Sequence, residues 1–280
     1  MVATTLAGRR ILIVGASSGI GQALAVRAVQ QGARVAMVAR RADKLAETIA
    51  LAGGGVPIAA DLRRDGDTER IAVETMASIG SPDLVFVSAG SASLRWVHES
   101  TAADWARAFE TNVIGVNLLF AAMRPHLRAG AIVAACSSES VGRPRAGLVP
   151  YGSSKAALEE SLRGWRTEHP DLRFTCVSVG ATMPTGFADD WDMGMVAEVL
   201  DTWAAHGLAQ AELMHADDVA DMLAGSFAMA LDLPGVGLEQ LTLRSPAKEG
   251  ASGAEMLDWA QDHGMPEPQP DAAPGGEAGR

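Results

Sequence analysis

Tyrosine is nearly absent from this chain: 280 residues carry one, Tyr151. Cysteine is almost as scarce. Cys136 and Cys176 lie in apolar, strand-like runs, "AIVAACSS" and "RFTCVSVG", which fits buried free thiols in a reducing compartment better than a disulfide. The six histidines are scattered, and no Cys/His spacing suits a metal, so no metal site is expected. Positive charge is also short: 23 Lys and Arg stand against 34 Asp and Glu, a net charge of -11. That leaves no basic footprint for nucleic acid. No apolar run reaches the about 18 uninterrupted residues of a membrane span. The opening "MVATTLAGRRILIVGASSG" lacks a signal-peptide core ahead of a cleavage site. A cytoplasmic protein is the expectation.

Apolar residues are plentiful, at 48%, and their arrangement alternates. Short β-rich runs at 10–16, 34–40, 56–62, 83–90, 131–138 and 173–180 are separated by helical stretches, including 19–31, a long one over 101–127 and another over 150–168. Thr101 reads as a cap with Asp104 in the first turn. A less regular stretch covers 184–214, then come a helix over 216–230 and a last strand at 238–245. Strands apolar on both faces, alternating with helices, predict a doubly wound α/β fold of about seven parallel strands with helices on both faces. Residues 1–245 read as one Rossmann-type domain, with 184–214 as its lid. A C-terminal extension follows over 246–280. It holds seven acids against Lys248 and Arg280, and its Pro/Gly/Ala-rich end, from about 264, reads as disordered.

"VGASSGIG" (14–21) joins the first strand to the first helix. Gly15, Gly19 and Gly21 remove Cβ atoms where a pyrophosphate would approach backbone N–H groups at a helix N-terminus. After a first strand, this spacing points to a dinucleotide. The second strand ends Val38-Ala39-Arg40-Arg41. An acid there would suit the ribose of NAD. Two guanidinium groups suit a 2′-phosphate instead, so NADP(H) is favoured over NAD(H), with Arg40 ahead of Arg41.

The lone tyrosine precedes Lys155 by four positions, one helical turn, so the two share a face. A phenol has a pKa of about 10, and a neighbouring ammonium is expected to lower it. Such a tyrosine can exchange a proton with a carbonyl or alcohol oxygen while hydride moves to or from nicotinamide.

Together these motifs resemble the short-chain dehydrogenase/reductase family, in the branch with the G-x-x-x-G-x-G loop, from about Gly8 to Ser245. Gly15, Ser17, Ser18, Gly19, Ile20 and Gly21 match its cofactor loop. Asp61-Leu62 matches the pair that flanks adenine, and Ala89-Gly90 the end of its N-N-A-G motif. Gly180 matches the nicotinamide-capping loop, with Thr182 or Thr185 near the carboxamide. Asn112, Ser138, Tyr151 and Lys155 match the catalytic set. The resemblance implies Tyr151 as general acid/base and Ser138 orienting the substrate oxygen. It implies that Lys155 lowers the phenol pKa and binds ribose, while Asn112 holds a relay water. Ser137 is a rival to Ser138. It also implies a homodimer or homotetramer built on the helices at 101–127 and 150–168. Two departures stand out: Val87-Ser88 replaces the two asparagines, with Ser88 a candidate to carry the lost hydrogen bond, and Val179 replaces a proline.

Substrate choice falls to three segments: 91–100, the stretch between Ser138 and Tyr151, and the lid. Phe187, Trp191, Met193, Met195 and Trp203 either line an apolar pocket for a small carbonyl or alcohol substrate or pack the lid on the body. Glu139, Arg143 and Arg145 are candidates to meet a polar substrate or to be solvated. His98 and His206 read as surface residues. The other reading is a non-catalytic NADP(H)-binding sensor or scaffold, which the presence of Ser138, Tyr151 and Lys155 disfavours.

Overall fold

A computed structural model describes residues 5–189, 191–246, 250–252, 255 and 262. Seven strands, β1 (Arg10–Val14), β2 (Arg34–Ala39), β3 (Val56–Ala59), β4 (Leu84–Val87), β5 (Ile132–Ser138), β6 (Arg173–Val179) and, last in the chain, β9 (Gln240–Leu243), form one sheet. Its order is β3-β2-β1-β4-β5-β6-β9, and every pairing is parallel. This is the doubly wound arrangement expected. The order reverses between β1 and β4, so the loops leaving their C-terminal ends frame the cleft where such sheets bind ligands.

Helices cover both faces. Ile11, Ile13, Met37, Phe86, Ala134 and Val177 point to α1 (Gly19–Gln30), α2 (Ala42–Ala52) and α8 (Ala216–Asp232). Their neighbours Leu12, Val14, Val38, Val85, Val133 and Phe174 point the other way, to α3 (Asp67–Ser78), α5 (Gly115–Met123) and α6 (Val149–Glu168). Strand alternation alone sorts these residues into two cores. Cys136 belongs to the first core and Cys176 to the second. Both are buried and free, and burial pushes their thiols up to about 12 and about 11.

Two expectations need correction. The stretch 101–127 is not one helix. It runs as α4 (Ala102–Phe109), a π turn (Glu110–Ile114), α5 and a 3-10 turn (Arg124–His126). Thr101 does cap its start, in a reciprocal box with Asp104. Pro125 has no N–H to donate, which ends the regular helix. The less regular stretch 184–214 contains a full helix, α7 (Met193–Ala205), capped by Asp192, whose side chain accepts from the Met195 N–H at 2.8 Å. Val196, Val199, Leu200 and Trp203 are its buried stripe, at helical spacing. Before and after it, β7 (Thr182–Met183) pairs with β8 (Met214–His215). The Met183–Pro184 peptide is cis. The α7 stripe, Phe187 and Trp191 form a third apolar cluster around Leu148 and Tyr151. Ala251 joins it, and the Gly250 N–H donates to the Ala209 carbonyl at 2.8 Å, so the chain past β9 returns to the lid. The tail expected to be disordered lies outside the described residues.

Among the described residues no helix is long and apolar enough to cross a membrane, and no group of three or more His, Cys, Asp or Glu side chains could hold a metal ion.

Candidate active site

The glycine loop lies at the reversal of strand order. Gly15 has φ +92, and a Cβ there would lie 2.5 Å from the Ala89 backbone nitrogen. At Gly21 a Cβ would lie 2.2 Å from Ser88 Oγ and 2.3 Å from the Gly15 carbonyl oxygen. No other residue fits at these contacts. Ser88 Oγ reaches the Val14 and Gly15 carbonyls at 3.2 and 3.3 Å, so it bonds the interior where the resemblance expects asparagine. Ser18 is the N-cap of α1 but makes no side-chain cap bond, and the first turn holds no acid. Ser17 and Ile20 are half-buried alongside. The helix therefore presents uncapped N–H groups and its positive end to the cleft, which suits a phosphate.

Around this loop the other candidate cofactor residues take definite places. Arg40 is exposed at the end of β2, close enough to Asp61 to help hold its carboxyl below the usual range; the Arg63 hydrogen bond contributes most. Arg41 stands at the N-cap position of α2 without a side-chain cap bond and pairs with Asp189 at 3.7 Å. Asp61 is held by Arg63 at 2.7 Å. Leu62 faces inward and packs on Gly115, where a Cβ would approach to 2.7 Å. Ala89 follows β4, its N–H bonded to the Val14 carbonyl at 3.1 Å. Gly90 is exposed beside Asn112 and Lys155. The Gly180 N–H donates to the Leu243 carbonyl at 2.8 Å. Of the two threonines, Thr185 packs on Gly19, 3.0 Å from a Cβ placed there, whereas Thr182 lies in β7 and donates to the Gly180 carbonyl at 2.9 Å.

The catalytic candidates converge between β5, α6 and the π turn. Asn112 is buried in the widened turn. Its Oδ1 accepts from the Ser91 N–H at 2.9 Å, while Nδ2 donates to the Ser91 carbonyl at 3.0 Å and to Ser154 Oγ at 2.9 Å. Both amide protons are thus committed to locking the loop after β4 onto α6. Ser154, three positions after Tyr151, donates to the Tyr151 carbonyl at 2.7 Å. Its role was not foreseen, though its place one turn along from the tyrosine was the available signal. Strand alternation separates the two serines. Ser137 donates to Glu159 Oε1 at 2.6 Å, toward α6, whereas Ser138 donates to Ser140 Oγ and accepts from the Ser140 N–H, both at 3.1 Å, and lies near enough to the Tyr151 phenol to affect its proton affinity.

Tyr151 and Lys155 share a helix face as expected, with Nζ 5.8 Å from the ring centroid. The expected lowering of the phenol pKa does not follow. Burial pushes Tyr151 up to about 12, with the nearby Ser138 hydroxyl working against it and the Glu139 charge adding to it. Lys155 is itself buried, which lowers its pKa, and it donates to the Cys136 carbonyl at 2.7 Å. Phe187 stacks edge-on against Tyr151 at 5.0 Å, and Trp191 against Phe187 at 5.1 Å. The lid aromatics therefore both pack together and cover the phenol. His98 and His206 are exposed.

The family model described as short chain dehydrogenase matches residues 9–196. The chain belongs to the short-chain dehydrogenase family. Glucose 1-dehydrogenase of Gluconobacter oxydans is 30% identical over 185 residues, 62% of this chain and 70% of that one. Hydroxynaphthalene reductase-like protein Arp2 of Metarhizium majus is 30% identical over 194 residues, 66% and 71% of the two chains. Among solved structures, a short chain dehydrogenase from Burkholderia cenocepacia in complex with NADP superposes with a TM-score of 0.72 at 24% identity, covering 89% of this chain and 99% of that one. A 7α-hydroxysteroid dehydrogenase complexed with NADH and a 7-oxo bile acid gives 0.74 at 20%, covering 88% and 96%. At these identities the two structures establish a shared short-chain dehydrogenase fold.

Proposed function

We propose that this short-chain dehydrogenase is an NADP(H)-dependent oxidoreductase that interconverts a carbonyl and an alcohol, with Tyr151 as general acid/base. The observation that carries the reading is that Tyr151 and Lys155 share one face of α6, with Nζ 5.8 Å from the phenol ring, while Ser138 ends the neighbouring β5. The nicotinamide, when bound, supplies or takes the hydride. Gly15, Gly19 and Gly21 with the uncapped α1 terminus hold its pyrophosphate. Ser17, Ser18, Ile20, Asp61, Leu62, Ala89, Gly90, Gly180, Thr182 and Thr185 border the rest. Arg40, and Arg41 behind it, favour a 2′-phosphate. The family as a whole does not decide the dinucleotide, since one structural neighbour holds NADP and another NADH.

In reduction Ser138 donates to the substrate carbonyl oxygen and steadies its developing charge. Tyr151 gives its proton to the same oxygen. Lys155 binds nicotinamide ribose and resupplies the proton, with Asn112 holding the relay. A phenol with a raised pKa is protonated near neutrality, the form that donates in carbonyl reduction. The Phe187–Trp191 cover favours an apolar substrate. The exposed apolar Ile114 and Leu118 fit a homodimer or homotetramer.

The test is a titration with NADPH and with NADH followed by nicotinamide fluorescence, then the same with a panel of ketones, aldehydes and quinones. Tight NADPH binding, oxidation by a panel member, and loss of turnover but not of binding in Tyr151→Phe would support the reading. Retained turnover in Tyr151→Phe would remove the tyrosine from its role. NADPH binding without oxidation by any member would favour the sensor or scaffold.

A further inference from the structure

The lid begins on the glycine loop. Thr185 packs on Gly19 at the start of α1. The residues after it turn back on themselves, with the Phe187 N–H donating to Thr185 Oγ1 at 3.4 Å and the Trp191 N–H to the Ala188 carbonyl at 3.0 Å. That turn brings an acid to the cofactor side. A Cβ on Gly186 would lie 3.0 Å from Asp189 Oδ2, 3.0 Å from Ser18 Oγ and 3.6 Å from Arg41 Nη2, so three polar side chains crowd one point. Asp189 Oδ2 pairs with Arg41 Nη1 at 3.7 Å. Asp192, three residues on, is committed elsewhere, to the cap of α7. The Asp189 and Arg41 side chains are 54% and 47% exposed. An open pair of this length adds little to stability. What it changes is the anion that Arg41 meets.

We propose that Asp189 is a specificity-determining residue for the dinucleotide: reaching out of the lid, it engages Arg41 and competes there with the 2′-phosphate of NADP(H). The inference rests on the reading of the β2 end as a 2′-phosphate site and deepens it. A carboxylate and a phosphate ask for the same partners, a guanidinium and a hydroxyl, and Arg41 and Ser18 are such a pair. The uncapped N–H groups at the start of α1 attract either anion. Two anions at one guanidinium repel each other. A 2′-phosphate therefore has to displace Asp189, whereas NADH, which has no 2′-phosphate, leaves the pair intact. The cost falls on NADPH alone. Arg40 and Arg41 attract the phosphate and Asp189 opposes it, so the preference for NADPH is smaller than the two arginines alone would give.

The test needs no substrate. NADPH and NADH are titrated separately into the wild type, Asp189→Asn, Arg41→Gln and the double variant, following nicotinamide fluorescence. Both side chains are exposed, so the substitutions leave the core untouched, and circular dichroism checks that each protein is folded. Asp189→Asn should bind NADPH about three- to tenfold more tightly, with NADH changed by less than about twofold. With Arg41 already replaced by Gln, the gain from Asp189→Asn should fall to about half or less, since the two side chains act on each other. Unchanged NADPH affinity in Asp189→Asn would overturn the proposal. An equal gain for NADH would overturn it too, because the lid acid would then oppose the pyrophosphate that both nucleotides carry. So would an undiminished gain in the Arg41→Gln background. Failure of the underlying reading would show separately, as NADPH affinity that Arg40→Asp leaves unchanged, and the proposal would fall with it.

Discussion

At the scale of single residues, Tyr151 links stability to pH. Its folded pKa, about 12, exceeds the ordinary value near 10. A raised pKa means that the fold holds the proton more tightly than the unfolded chain does. That contribution is complete below about pH 10 and is lost as pH climbs toward about 12. The melting temperature of the wild type should therefore fall more steeply across that window than that of Tyr151→Phe, measured by circular dichroism in matched buffers. Lys155 is present in both proteins, so the difference isolates the phenol. Arg40 carries the second prediction. Replaced by Asp, it should weaken NADPH about ten- to hundredfold while NADH changes little, as expected for the loss of a charge-assisted bond to phosphate. Equal losses in a paired fluorescence titration would contradict the 2′-phosphate assignment.

At the scale of elements, the first βα turn is held by contact as much as by conformation. Gly21→Ala would drive a Cβ into Ser88 Oγ and the Gly15 carbonyl, at a cost of about 1–3 kcal/mol. Thermal melts should show it several degrees below wild type. Gly164 is the control. It is exposed on α6 with nothing within 4 Å of a Cβ, so Gly164→Ala should gain about 0.5–1 kcal/mol. These elements were legible in the sequence to differing degrees. Strand runs such as "RILIV" and "IVAACSS" are apolar on both faces and admit few other readings, and the glycine spacing located the turn. Thr101 announced the start of α4. The π turn was hidden, because widening around Asn112 depends on the bonds it makes to Ser91 and Ser154, distant in sequence. Helix α7 was readable from the spacing of Val196, Val199, Leu200 and Trp203, but the glycines and acids of 186–194 masked its start. The proton affinity of Tyr151 was misjudged because i,i+4 spacing shows a lysine nearby but does not show how completely the lid buries the ring.

At the scale of the whole molecule, one sheet divides two apolar layers, and the third cluster stands at its C-terminal edge as the roof of the site. The outer side of α5 is left apolar, with Leu118 and the adjacent Ile114 each about half exposed. If copies of the chain associate through this surface, Leu118→Glu should yield a smaller species in analytical ultracentrifugation with the circular dichroism spectrum unchanged. The sheet also separates the two thiols, one in each layer, on neighbouring strands. Both are shut from solvent and hold their protons firmly, so each can be alkylated only when its own side of the protein opens. Single-cysteine variants then become two clocks in one molecule. Equal labelling rates would mean that both layers come apart together. A faster Cys136 would show that the α1–α8 side breathes alone, and a faster Cys176 would assign that motion to the side carrying α6.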